Sequence, residues 1–148
     1  MIKKEIIIVD DEPLIPVLMK EIVEEDGLFT VARIAGGKKE FLEAAQEGLF
    51  DIALIDMSLE GREGGLELLE LMKNKGSGLP VVILSAYDEL QYALTALKAG
   101  ARGYINKKYI CSDVVPCLHQ VLEGRLFVSG DRGEKVIKEY EKLYAPSI

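Results

Sequence analysis

Five side chains capable of polar chemistry stand just beyond short apolar runs. Asp10 and Asp11 follow Ile6-Ile7-Ile8-Val9, Asp56 follows Ala53-Leu54-Ile55, Ser85 follows Val82-Ile83-Leu84, and Lys107 follows Gly103-Tyr104-Ile105-Asn106. Three carboxylates, a hydroxyl and an ammonium, if brought together, form a set suited to taking up a phosphoryl group. Clustered carboxylates repel one another and are driven toward protonation unless a cation neutralises them. A hard divalent ion such as magnesium serves best, because it takes oxygen ligands and keeps waters that a phosphate oxygen can replace. Asp56 then becomes a nucleophile toward phosphorus, since phosphoryl transfer needs mainly in-line positioning and neutralised equatorial oxygens, and Lys107 and Ser85 add to that neutralisation. Glu12, next in the chain, reaches the same cluster. Taken singly, these residues have plainer explanations as helix caps, turn residues and a solvated lysine. Their joint occurrence at four strand ends favours one site.

For those ends to converge, the apolar runs must be neighbouring strands of one sheet. Short β-branched runs over 5–9, 30–34, 52–55, 81–84 and 103–105 alternate with segments of helical apolar spacing. Leu14, Leu18 and Ile22 mark the first helix, Phe41, Ala45 and Leu49 the second, and Leu66, Leu69 and Met72 the third. Leu90, Ala93, Leu94 and Leu97 mark the fourth, and Val114, Leu118, Val121 and Leu122 the fifth. Gly27, Gly48, Gly76, Gly100 and Gly124 fall where these helices should stop. Pro16 obliges the first helix to begin close to it or to bend. The alternation predicts an α/β fold of flavodoxin-like type: a doubly wound, five-stranded parallel sheet in the order 2-1-3-4-5 with helices on both faces. In that order the first, third, fourth and fifth strands are successive neighbours, so their polar ends face one crevice beyond the carboxyl edge.

The 148 residues suit one ordinary domain. We assign it to 1–128, with 129–148 as a helical tail or linker spaced at Val136, Ile137, Tyr140 and Leu143. That tail is too short for a helix-turn-helix module. No apolar run approaches the roughly 20 residues that span a bilayer, and no small-residue cleavage site follows the N-terminus, so the expected compartment is the cytoplasm, with no membrane contact. A net charge of −7 with scattered basic residues disfavours direct nucleic-acid binding. Cys111 and Cys117 have the spacing of neither a zinc knuckle nor a redox pair and are expected to be reduced, core or near-core thiols. His119, the single histidine, reads as a half-buried surface residue.

The runs Ile6 to Glu12, Ala53 to Met57, Val82 to Ala86 and Gly103 to Lys107 resemble those of the receiver domains of two-component response regulators, over roughly residues 3 to 128. The resemblance implies that Asp10, Asp11 and Asp56 form a magnesium pocket to which Ser58 lends its backbone carbonyl, and that Asp56 accepts the phosphoryl group. It implies that Ser85, Ala86 and Lys107 hold phosphate oxygens, that Ser85 and Tyr104 form a conformational switch, and that the chain assists its own phosphorylation and dephosphorylation rather than turning over a substrate. The implied donor is a sensor histidine kinase or a phosphotransfer protein, and a homodimer through the fourth helix, fifth strand and fifth helix is an available arrangement. A stand-alone receiver and the front piece of a longer regulator both remain open. The chain departs from the family where many members have proline four residues after the phosphoacceptor: here stands Glu60, in a 60–65 loop one residue longer than usual. Three rival readings fit these residues less well. A nucleotide- or flavin-binding domain would be repelled by Asp10-Asp11-Glu12, a haloacid-dehalogenase-type phosphatase would lack length for a cap, and a receiver-shaped module that takes no phosphate would not need all five groups.

Overall fold

A computed structural model of the chain describes residues 2–61, 63–87 and 90–144. Along the chain run β1 (Lys4–Val9), α1 (Ile15–Glu25), β2 (Phe29–Ala35), α2 (Lys38–Glu47), β3 (Ile52–Asp56), α3 (Gly64–Asn74), β4 (Val81–Ser85), α4 (Leu90–Lys98), β5 (Gly103–Asn106), α5 (Ile110–Leu122), β6 (Phe127–Val128) and α6 (Gly133–Tyr144). The strands form one parallel sheet in the order 2-1-3-4-5-6. The expected order 2-1-3-4-5 is therefore extended by a sixth strand. Two residues carry no periodicity, so β6 has no signal of its own in the sequence.

Alternation along each strand divides the core. Ile6, Ile8, Ile52, Leu54, Val82, Leu84 and Ile105 point to one face, where they meet Met19 and Val23 of α1 and Val114, Leu118 and Val121 of α5. Ile7, Val9, Ala53, Ile55, Val81, Ile83 and Tyr104 point to the other, against Phe41 of α2, Leu69 and Met72 of α3, Leu97 of α4 and Val136 of α6. Strands β3 and β4 are buried along their whole length, as central parallel strands covered on both faces should be. Each of their Leu, Ile and Val side chains contributes on the order of 2 kcal/mol of burial.

Two helix faces differ from the expected ones. In α1 the buried residues are Pro16, Met19 and Val23, whereas Leu14 and Leu18 are 78% and 42% exposed. The run from Leu14 to Met19 is apolar all round save for its polar neighbours further on, so spacing alone did not fix its phase. Pro16 does sit in the first turn, where its missing N–H costs nothing. In α2 Phe41 and Ala44 are buried, while Ala45 is exposed and Leu49, beyond the helix, is 91% exposed. Cys117 is buried but Cys111 is exposed, so only one of the two thiols belongs to the core.

The C-terminal segment packs on the domain. Val136 of α6 shares a core cluster with Tyr104 and Leu97, and a Cβ on Gly133 would come 1.9 Å from the Val128 carbonyl oxygen. Only glycine allows α6 to leave β6 this closely. Residues 145–148 of the expected tail lie outside the described residues.

Candidate functional site

The carboxyl ends of β1, β3, β4 and β5 place Asp10, Asp11, Asp56, Ser85 and Lys107 around one crevice, because these strands are consecutive neighbours in the sheet. Asp10, Asp11 and Asp56 each bring a carboxylate oxygen to within 4.8 Å of the others. Asp10 and Asp56 are buried and Asp11 is exposed. The Lys107 ammonium lies 3.2 Å from Oδ1 of Asp56 and 3.5 Å from Oε1 of Glu12.

The hydrogen bonds show which carboxylate oxygens are committed. Oδ1 of Asp10 accepts from the Glu12 amide at 2.9 Å, Oδ2 of Asp11 from the Glu60 amide at 3.0 Å, and Oδ1 of Asp56 from the Ser58 amide at 3.3 Å. Oδ2 of Asp10 is buried and has no hydrogen-bond partner among the described residues. Burial, opposed by the Glu12 amide and reinforced by the nearby Asp56 charge, pushes the Asp10 carboxyl up to about 6. Burial also works against the Lys107 ammonium, but Asp56, Asp10 and Glu12 outweigh it and hold its pKa above the usual lysine value. A buried, unpartnered carboxylate oxygen among three acidic groups fits a hard cation that would supply the missing charge and the missing ligand bond.

Two glycines and an unusual glutamate shape the loop after β3. A Cβ on Gly65 would lie 2.3 Å from the Asp56 carbonyl oxygen, so α3 can start this close to β3 only with glycine there. Glu60 has φ 59, a left-handed conformation closed to proline. Its amide holds Asp11, and its carboxylate accepts from the Lys38 amide at the start of α2 at 2.8 Å. Glu60 thus replaces the family's usual proline with a residue that bonds in both directions. Arg62, within the same loop, lies outside the described residues.

On the other side of the crevice the contacts are neutral. Oγ of Ser85 accepts from the Tyr87 amide at 3.0 Å. The Tyr87 carbonyl accepts from the Tyr104 hydroxyl at 2.8 Å and from the Asn106 side-chain amide at 3.2 Å. Tyr104 is buried, its ring lying inward beside α4. Ala86 follows Ser85 at the rim and is exposed. Tyr87, Asn106 and Ser129 were not singled out from the sequence. Asn106 sits between Ile105 and Lys107, where an asparagine ending a strand is an ordinary capping signal, and its Oδ1 does accept from the Lys108 amide at 3.0 Å. A surface groove of about 630 Å³ between α4, α5 and α6 opens near the amino ends of β5 and β6 and holds none of the candidate residues.

The fold and this constellation define a member of the response-regulator class. The family model of the response regulator receiver domain matches residues 6–116, and the chain belongs to that family. It is 29% identical over 124 residues to the nitrate/nitrite response regulator protein NarL of Escherichia coli K12, covering 84% of this chain and 57% of NarL. It is 35% identical over 144 residues to the nitrogen assimilation regulatory protein NtrX of Azorhizobium caulinodans, covering 96% of this chain and 30% of NtrX. The chain therefore spans little more than half, or less, of those relatives. Among solved structures it superposes on a LuxR-family two-component response regulator from Aurantimonas sp. SI85-9A1 with a TM-score of 0.83 and 25% identity, over 93% of this chain and 98% of that one. The chain is a receiver domain of two-component response regulators. No helix among the described residues is long and apolar enough to cross a membrane.

Proposed function

We propose that Asp56 is the phosphoacceptor and that its state sets the conformation of the β4–β5 side of the crevice. The observation that carries this is the buried Asp56 carboxylate, 3.2 Å from the Lys107 ammonium and clustered with Asp10 and Asp11. Asp10, Asp11, Asp56 and the Ser58 carbonyl are the residues that would hold Mg2+. Bound there, the ion supplies positive charge that offsets the charge on the transferred phosphoryl oxygens. An Asp56 oxygen forms the new bond to phosphorus as the bond to the donor's leaving atom breaks. Lys107 holds a phosphoryl oxygen by charge, while the Ser85 hydroxyl and the Ala86 amide offer hydrogen bonds to the others. These groups assist gain and loss of phosphate on the chain itself and do not turn over a free substrate. A phosphatase centred on Asp10 and Glu12 is disfavoured, because Glu12 is exposed and engaged with Lys107.

Movement of the Ser85 hydroxyl toward phosphate competes with its bond from the Tyr87 amide, and the Tyr87 carbonyl in turn holds Tyr104. That is the path by which Ser85 and Tyr104 act as a switch, the phosphorylated state being favoured only by the contacts it alone makes. The donor we assign is a sensor histidine kinase or phosphotransfer protein, in the cytoplasm where a kinase finds its nucleotide. Leu14, Val17 and Leu18 of α1 and its approach, all exposed and only a few residues beyond Asp10 and Asp11 in the chain, give that partner an apolar surface to rest on. A homodimer through α4, β5 and α5 would have to include β6 and α6, which lie against β5 and α4. The net charge of −7 argues against direct nucleic-acid contact by these residues.

Intact mass after incubation with acetyl phosphate tests the reading. Phosphoryl mass should be gained with magnesium, lost with chelator, and absent from Asp56→Asn; an unchanged gain in Asp56→Asn would refute it.

A further inference from the structure

We propose that Ser129, which lies beyond the residues matched by the family model, is a positioning residue for phosphoryl transfer. It fixes Asn106, and through Asn106 both Lys107 and the Tyr87 carbonyl, and so ties β6 and α6 to the site. The inference rests on Asp56 being the phosphoacceptor.

The geometry follows from how the sheet ends. Gly103 and Tyr104 of β5 pair with Phe127 and Val128 of β6, and the Ser129 amide continues the ladder by donating to the Tyr104 carbonyl at 2.9 Å. One step on, the Asn106 amide needs an acceptor on the same side. The Ser129 hydroxyl takes the place a strand carbonyl would fill, with Oγ accepting from that amide at 2.8 Å. Asn106 is 6% exposed, so this bond to its amide is made largely away from solvent. Its side chain donates to the Tyr87 carbonyl, and the Tyr87 amide donates to Ser85. The next residue in the chain is Lys107, whose ammonium lies beside Asp56. Ser129 therefore anchors the strand end from which the phosphate-binding cation projects. On its other side the chain passes from Ser129 into α6, held by the close approach of Gly133 to Val128 and by Val136 in the cluster that contains Tyr104.

Coupling of this kind is reciprocal: if Ser129 favours the phosphate-competent arrangement, phosphate at Asp56 must alter how firmly β6 and α6 are held. The test uses the full chain with magnesium and acetyl phosphate, following phosphoryl gain by intact mass at several donor concentrations. Ser129→Ala should raise the donor concentration for half-maximal rate severalfold. Its magnesium affinity, measured without donor, should stay close to wild type, because Asp10, Asp11 and Asp56 are untouched. Ser129→Thr, which keeps the hydroxyl, should restore the donor response. Amide exchange over residues 133–144 should change on phosphorylation in wild type and much less in Ser129→Ala. Wild-type donor response in Ser129→Ala, or equal impairment in Ser129→Thr, would overturn the inference. Failure of the wild type to gain phosphoryl mass would instead overturn the phosphoacceptor reading beneath it.

Discussion

At the ends of β1 and β3, Asp10 and Asp56 are carboxylates buried side by side, and one oxygen of Asp10 has no partner among the described residues. At the ends of β4, β5 and β6, Ser85, Tyr87, Tyr104, Asn106 and Ser129 are joined by neutral hydrogen bonds between 2.8 and 3.2 Å. The first region is under electrostatic stress that a cation can relieve. The second is satisfied as it stands and changes only if one of its bonds is drawn away. Binding energy is thus available on the acidic side, whereas the neutral side is suited to passing on a displacement, and Lys107, projecting from β5 onto Asp56, belongs to both.

Removing the link between the regions should have the largest effect. Lys107→Ala removes the ammonium that lies beside Asp56, and loss of a preorganised charge at a transfer site costs roughly a hundredfold in rate. Rates of phosphoryl gain from acetyl phosphate check this, and a change of less than a few fold would detach Lys107 from the chemistry.

The stress on the acidic side should be visible in the metal-free protein. Asp10 binds its proton more tightly folded, at about 6, than the ordinary value of 3.8. Between those values the folded state carries more protons than the unfolded one, so stability falls as pH rises through the window and the full cost is present above about pH 6. Asp10→Asn removes a cost on the order of 2 kcal/mol, so at neutral pH it should be the more stable protein and lose that part of the pH slope. It should also bind magnesium more weakly. Denaturant unfolding across this pH range, with and without magnesium, decides it; a destabilised Asp10→Asn would mean that burying the Asp10 charge carries no such cost.

The neutral side should respond least to a single cut. Tyr104→Phe removes one donor to the Tyr87 carbonyl but leaves the Asn106 side chain in place, so the stability loss should be about 1 kcal/mol. Phosphoryl gain should persist, while the spectral response of α4 to phosphorylation should shrink. A full response in Tyr104→Phe would remove that hydroxyl from the switch.

Much of this was legible in the residues. The parallel order of the first five strands follows from the alternation of apolar runs and helical spacings, and the convergence of Asp10, Asp11, Asp56, Ser85 and Lys107 follows from strand order alone. What the sequence hides depends on tertiary geometry. The phase of α1 was hidden because Leu14 through Met19 offers several apolar stripes, and only packing chose Met19 and Val23. Strand β6 is two residues long and exists because β5 has an open edge. Ser129 reads as an ordinary turn serine before Gly130, and its bond to Asn106 spans a separation that no local pattern reports.

Asp56 as the acceptor, with Asp10 and Asp11 as its neighbours rather than its rivals, is the central claim, and residue-level mapping tests it most directly. After treatment with magnesium and acetyl phosphate, borohydride reduction converts an aspartyl phosphate to homoserine, which fragment mass spectrometry locates along the chain. Homoserine at position 56 alone is the expected result. Homoserine at position 10 or 11, with Asp56 unmodified, would contradict it.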